Sequence, residues 1–357
     1  MKGAVLVAGA SGYLGRRVVA ELRRRGVTVR ALVRAPRADV LSELSAAGAD
    51  VVAADATRPG SLVGVCDGCF AVISCMAANM RWSSGSPEDV DRDANIALFQ
   101  EAADTTDRAV ASGSGSSSGG RGGSGRGGSG SGGAAAGVRR FLLVATFEGR
   151  EARAHVPLQR AKEEAVEYVE SMAPEHGMAW TILRPTVYFK DFTDLPWQRM
   201  QRSRWMLVPG GGTARYNPID GAELAASVAD CVLEPTADRW ANREARIGGP
   251  QVLTFRDTIY AAAEALGRQR QSVWLIPVPA GLLHALALLA GLLGVLWQPA
   301  ARLAGALRFL AYSSTHDAVG EVLWGRRTVA DHYRDLAAQQ AQQQQPEKRA
   351  AEVHKEN

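Results

Sequence analysis

The chain has 357 residues, 46% hydrophobic and 22% charged, a composition that supports a sizeable core in one large domain or two modest ones. Its formal charge is +4 and its pI about 9.0, but the basic residues are scattered with no aromatic-interleaved stripe, which argues against a nucleic-acid partner. The four cysteines include a lone Cys66-x-x-Cys69 with no second pair, and the histidines are dispersed, so neither a disulfide framework nor a metal site is expected.

Taken in order, the N-terminus MKGAVLVAGA enters a strand almost at once and leaves no visible room for a signal or transit peptide. The apolar run GAVLVAG, residues 3–9, reads as a buried parallel strand. Helices follow at 13–25, 39–47, 94–103 and 159–171, alternating with strands at 27–33, 50–54, 71–75, 140–145 and 180–184. This alternation predicts an α/β fold, a Rossmann-type doubly wound parallel sheet over 1–186. A smaller, mostly helical C-terminal substrate lobe is expected over 187–335, with 218–266 partly returning to the first core.

Residues 112–133, SGSGSSSGGRGGSGRGGSGSGG, form a Gly/Ser insert expected to be a disordered loop at the N-terminal edge of the sheet, away from the ligand end. The polar, Gln-rich tail, 336–357, is likewise expected to be without structure. The apolar stretch 280–297, AGLLHALALLAGLLGVLW, would be roughly 27 Å long as a helix, marginal for a bilayer core of about 30 Å. With the following ARLAGALRFLAY, which carries Arg302 and Arg308, it reads as a hairpin capping an apolar pocket or touching a membrane surface through 280–311. Plain core helices are the alternative.

Gly9-Ala-Ser11-Gly12-Tyr13-Leu14-Gly15 follows the first strand and opens the first helix. There the glycines permit a tight turn, close approach of backbone to a pyrophosphate and close packing of helix on strand. About twenty residues beyond the glycines an acidic side chain would bind the ribose 2′-hydroxyl of NAD. Arg34 stands at that position and Arg16 follows Gly15, so the 2′-phosphate of NADP is the expected ligand. Ser11, Tyr13 and Leu14 belong to the same cofactor turn.

The spacing GxxGxxG is similar to that of the extended and atypical short-chain dehydrogenase/reductase families. RRFLLVATFEG (139–149), PLQRAK (157–162), TILRPTVYFK (181–190), PIDGAELAASVADCVLE (218–234) and IGGPQVLTFRD (247–257) resemble the atypical, NmrA-like branch, most closely the divinyl chlorophyllide a 8-vinyl reductases. That family carries F-Q-x-A-K, RPT-x-FFK and IGGP stretches in this order, and the resemblance covers about residues 3–275. It implies that Asp55 meets the adenine edge, that Ser74 and Met76 lie along the cofactor, that Thr146 stands near the family serine or threonine, and that Pro185 is a cofactor contact. Lys162 would bind the nicotinamide ribose.

In common short-chain reductases a tyrosine precedes the lysine by four positions; here that place is Leu158. The resemblance implies an aromatic rather than a phenol there, so leucine is a further departure. A vinyl group conjugated to a macrocycle spreads incoming charge over the ring and has less need of an adjacent donor. The proton must still arrive, and Tyr188 and Lys190, at the carboxyl end of the sixth strand, are candidates beside Thr146, Glu148 and His155. The resemblance thus implies an NADPH-dependent oxidoreductase acting on a CH–CH group of a large apolar tetrapyrrole in chlorophyll biosynthesis. A chloroplast setting goes with that function, and a cytoplasmic one with the absence of a visible transit peptide. A non-catalytic NADP-sensing protein, or a reductase of another bulky apolar substrate, is the alternative.

Overall fold

The computed structural model describes residues 3–35, 37–78, 86–114, 137–294 and 297–353, which divide into two compact units. The first comprises 1–184 and 224–245, the second 185–223 and 246–357. Within 218–266, the stretch expected to return in part, residues 224–245 belong to the first unit.

In the first unit the strands are β1 (Ala4–Ala8), β2 (Thr28–Val33), β3 (Asp50–Ala53), β4 (Cys69–Ser74), β5 (Arg140–Val144) and β6 (Ala179–Pro185). The first half of β9 (Arg243–Gly248) also belongs here. The order across the sheet is β9-β6-β5-β4-β1-β2-β3, and every registered pair from β6 to β3 is parallel. Strand order reverses between β1 and β4, so the crevice beyond their carboxyl ends is where a ligand of such a sheet binds.

The crossovers include α1 (Tyr13–Arg24), α2 (Ala38–Ala46), α3 (Ala94–Ser114), the single turn α4 (Gly149–Ala152) and α5 (Pro157–Met172). Leu6 and Ala8 of β1, Phe141 and Leu143 of β5 and Ile182 of β6 pack one face of the sheet against Leu98, Phe99 and Ala102 of α3 and Ala165, Val166 and Val169 of α5. Alternate strand residues reach this layer because the side-chain period of a strand is two. Phe99 meets Phe141 edge to face at 5.2 Å. Of the Gly/Ser insert, 112–114 closes α3, and 115–133 lies outside the described residues.

The second unit is built on α6 (Phe189–Arg202), α8 (Phe255–Ala265), α9 (Ala280–Gly294), α10 (Gln298–Ser313) and α11 (Val329–Val353), while α7 (Gly221–Val232) belongs to the first unit from Leu224 onward. Phe189, Trp197, Ile259, Ala262 and Tyr333 form its core. Tyr333 stacks on Trp197 and donates its hydroxyl to the Thr193 carbonyl at 3.0 Å, so this buried phenol is structural. Two short ribbons flank that core, parallel β7 (Trp205–Pro209) with β11 (Trp274–Val278) and antiparallel β8 (Arg215–Tyr216) with β10 (Leu253–Thr254). The second half of β9 pairs in parallel with β12 (Val322–Leu323).

The Gln-rich tail differs from expectation, since α11 carries it in helix through Val353. Thr328 and Asp331 exchange backbone and side-chain hydrogen bonds in a capping box that starts the helix, and Val329 and Tyr333 anchor it in the core. Alanine and glutamine then extend it through their helix propensity, which a low hydrophobic content does not oppose.

Candidate nucleotide site

The pocket at the carboxyl ends of β1 to β4 encloses about 300 Å³. Among its walls are Gly9, Ser11 and Gly12 from the first turn, Arg34 after β2, Asp55 and Thr57 after β3, and Cys75, Met76 and Ala77 after β4. Six of the residues singled out from sequence, Gly9, Ser11, Gly12, Arg34, Asp55 and Met76, therefore come together here.

The glycines are required sterically. Gly9 has φ +73°, and a Cβ on it would lie 2.8 Å from the Cys75 carbonyl oxygen. A Cβ on Gly15 would lie 2.1 Å from the Gly9 oxygen, so only glycine lets α1 start against the β1 turn. Gly12 is the N-cap of α1, with no side-chain cap and no acidic residue in the first turn. The first amides of a twelve-residue helix are thus left for an anion, with the helix dipole favouring negative charge.

The arginines differ in setting. Arg34 is exposed and lines the pocket. Arg16 donates to the Ser11 carbonyl at 2.9 Å and pairs with Glu43 at 2.5 Å, both partners part-exposed. A pair of that kind contributes only about 0–1 kcal/mol and yields readily to a phosphate. Asp55 accepts hydrogen bonds from the Thr57 amide and hydroxyl at 3.1 and 2.8 Å, which fixes its carboxylate at the pocket wall. Tyr13 is overlain by the Arg17 guanidinium at 3.8 Å, while Leu14 is buried and anchors α1.

Lys162 is 2% exposed and Asp91 1%, and they form an ion pair at 2.8 Å. The lysine also donates to the Met76 carbonyl at 2.6 Å. Lys162 is not one of the pocket-lining residues; it grips the back of one of them. The other carboxylate oxygen of Asp91 accepts the Ala78 amide at 3.0 Å. Ser74, assigned to the cofactor from sequence, points inward and donates to Asn95 at 2.5 Å, and Asn95 in turn donates to the carbonyls of Val90 and Asp91. Segment 74–78, which forms the pocket's β4 wall, is thus pinned from behind by a buried polar network.

Asp91 and Asn95 were not singled out from the sequence. Asp91 lies in a π-helical turn, Glu88–Asp93, just before α3, and the only sequence signal is an unusually polar run, EDVDRDAN, ahead of an apolar helix. Burial pushes the Cys75 thiol up to about 12, against the pull of Lys162, so this pocket cysteine stays neutral.

Arg184, the arginine of RPT, also went unassigned. Fully buried, it holds Glu163 through two hydrogen bonds at 2.5 and 2.8 Å, meets Glu244 of β9 at 2.9 Å and donates to the Thr146 carbonyl at 2.8 Å. A Cβ on Gly149 would lie 1.8 Å from Glu163, so the turn after β5 is glycine to admit this pair. Glu163 adjoins Lys162, and the bidentate clamp sets the rotation of α5 that turns Lys162 inward. The Thr146 hydroxyl is buried with no hydrogen-bond partner. Leu158 is half-buried and His155 exposed.

The remaining candidates belong to the second unit. Pro185 is buried; Tyr188, half-buried, is the N-cap of α6, and Lys190 pairs with Asp191. Among the described residues no cluster of His, Cys, Asp or Glu is disposed to hold a metal.

Residues 1–92 match the model of the NmrA-like family. The chain is similar to the divinyl chlorophyllide a 8-vinyl-reductase of Zea mays, a chloroplastic protein, at 26% identity over 69% of this chain and 55% of that one. It thus spans about half the length of the curated relatives it matches. Among solved structures it shares its fold with an NADPH-dependent quinone oxidoreductase of Escherichia coli complexed with NADPH, at 15% identity and TM-score 0.62 over 93% of this chain and 99% of that one. A leucoanthocyanidin reductase–NADPH complex from Vitis vinifera gives 16% identity and TM-score 0.62 over 94% and 100%. The fold is therefore the Rossmann-type α/β fold expected from the sequence, and the resemblance read from its motifs, to the NmrA-like branch and the divinyl reductases, is the one these comparisons find.

Proposed function

We propose that the chain is an NADPH-dependent reductase of a bulky conjugated alkene, in its most specific form a vinyl group on a tetrapyrrole. The observation that carries the reading is the glycine cradle at the sheet's switch point with Arg34 in its wall. The residues present fit the cofactor: the spaces a Cβ would fill at Gly9 and Gly15, the uncapped start of α1 and the exposed Arg34 suit a pyrophosphate and a 2′-phosphate. Bound there, NADPH would supply a hydride.

The chain's own residues then orient and shield. Asp55 would meet the adenine, and Met76, held by Lys162, would set the floor beneath the dinucleotide. Lys162 acts in this reading by positioning the β4 wall and the ribose beyond it. Leu158 only packs, in keeping with a substrate that delocalises charge and needs no phenol beside it. Tyr188 and Lys190 are retained as sources of the proton, each to be tested by its own substitution. The chloroplast location of the plant relatives supports a plastid setting.

A non-catalytic NADP-binding role is the second reading, favoured by the position of Lys162 behind the wall instead of in it. Following NADPH oxidation with a divinyl tetrapyrrole, with chromatography of the pigment, decides between them. Conversion of the vinyl group, abolished in Lys162→Ala, is expected. Tight NADPH binding with no turnover on any conjugated acceptor would transfer the assignment to the second reading.

A further inference from the structure

The hairpin of α9 and α10 leaves more apolar surface exposed than a water-facing element tolerates. In α9 only Leu283, Ala287 and Ala290 are buried, a narrow stripe against α10. Gly294 brings the two helices together, since a Cβ there would lie 2.8 Å from Ala301. Apart from His284 the rest of α9 is apolar and mostly leucine: Leu288, Leu289, Leu292 and Leu293 are 59–72% exposed, and Trp297 at the start of α10 is 63% exposed. A helix apolar all round belongs in a core or in lipid. With fifteen residues, α9 is only about 22 Å long, short of the roughly 30 Å of a bilayer core. Among the described residues no helix is long and apolar enough to cross a membrane.

Pro279 alone separates this hairpin from a second exposed apolar face. On the β7–β11 ribbon, Trp205 pairs with Trp274 and Leu207 with Ile276, all outward, while Met206 and Val208 point into the core. Along the sequence the charge flanking both elements is mainly basic, and two of its arginines are paired with the acidic residues that bound these stretches, Arg270 with Glu264 and Arg215 with Asp317. Between Glu264 and Asp317 the chain holds Arg268, Arg270, Arg302 and Arg308 and no acidic residue. Between Asp194 and Asp220 it holds Arg199, Arg202, Arg204 and Arg215, again with none. Arg199 lies over the Trp205 ring at 3.7 Å, setting a guanidinium beside the exposed indole.

We infer that the α9–α10 hairpin and the Trp205/Trp274 ribbon form a monotopic membrane-binding surface for an anionic bilayer. The leucines of α9 enter the acyl boundary, the tryptophans sit at headgroup level, and the arginines meet lipid phosphate. The excess of arginine over acid in these stretches, eight against the bounding Glu264 and Asp317 that pair with two of them, favours anionic lipid over a second copy of the chain, because two such faces would repel. This surface is independent of the nucleotide site, and its test needs neither cofactor nor turnover.

The full chain is floated with vesicles of phosphatidylcholine alone and of phosphatidylcholine with phosphatidylglycerol. Binding to the anionic vesicles is expected, with tryptophan emission shifted to the blue and quenched by lipids brominated near the headgroup. Leu288→Glu with Leu292→Glu alters side chains that are already 64% and 72% exposed, so the fold is left intact. Binding should fall by more than about a thousandfold, the transfer value of two leucines together with two added like charges. Arg302→Gln and Arg308→Gln should each weaken binding by about fivefold on anionic vesicles only. Absence of binding to either vesicle, or binding untouched by the leucine pair, overturns the inference. So does a dimer in sedimentation velocity that the leucine pair dissociates while vesicles remain unbound.

Discussion

Replacing Asp91 by alanine would leave Lys162 buried with its charge partner gone. The pair is 2.8 Å apart with both members almost wholly buried, and the same carboxylate also serves the Ala78 amide. Breaking a buried pair from one side costs about 3–5 kcal/mol, and an orphaned amide about 1–3 kcal/mol more, partly relieved by water entering from the adjoining pocket. A loss of about 4 kcal/mol is therefore expected, a large share of the 5–15 kcal/mol that usually holds a domain together. Urea unfolding followed by far-ultraviolet circular dichroism measures it. The cause is isolated by a cycle with Lys162→Met: the double variant Asp91→Ala/Lys162→Met should be more stable than Asp91→Ala alone, because no unpaired charge remains. A single-variant loss under about 1 kcal/mol, or strict additivity in the cycle, would refute the argument that this pair pins the β4 wall.

Arg34→Ala should weaken NADPH binding by about ten- to a hundredfold and leave NADH binding unchanged, as titration of both cofactors would record, since only the 2′-phosphate needs the guanidinium. Arg16→Ala should do less, because Arg34 lines the pocket whereas Arg16 stands outside its walls, bonded to the Ser11 carbonyl. Gly15→Ala should abolish cofactor binding and lower the thermal midpoint, because its Cβ would lie 2.1 Å from the Gly9 carbonyl and α1 must move away from β1; a variant that binds normally would show that the turn yields. Cys75, whose thiol is pushed up to about 12, should resist iodoacetamide at pH 8 in the folded chain and react once urea opens the pocket. Fast native alkylation at Cys75, located by mass spectrometry, would contradict the raised pKa of this half-buried thiol.

Several features are legible in the chain because their physical cause is local. The alternation of apolar strand and amphipathic helix marks the sheet from β1 to β6. The positive φ at Gly9 and the close approaches at Gly15 and Gly149 admit no larger residue, and Gly9 and Gly15 stand out before any strand order is known. Arg34 is found by counting from those glycines, since a strand–helix–strand unit has a nearly fixed length.

Other features depend on which distant segments meet. Lys162 reads as a cofactor ligand from its motif, yet its orientation comes from Asp91, 71 positions earlier, and from the Arg184–Glu163–Glu244 cluster, whose members lie on α5, β6 and β9. No periodicity encodes such a pairing, because a buried charge is stable only where its partner arrives through the tertiary fold. The hairpin makes the same point in reverse. Hydrophobicity at 280–297 is plain in the sequence, but whether those leucines are covered depends on how wide a stripe the neighbouring helix hides. A seam of small residues, Ala287, Ala290 and Gly294 against Ala300, Ala301 and Ala304, brings the helices close while covering little of either, and so leaves the leucines outside.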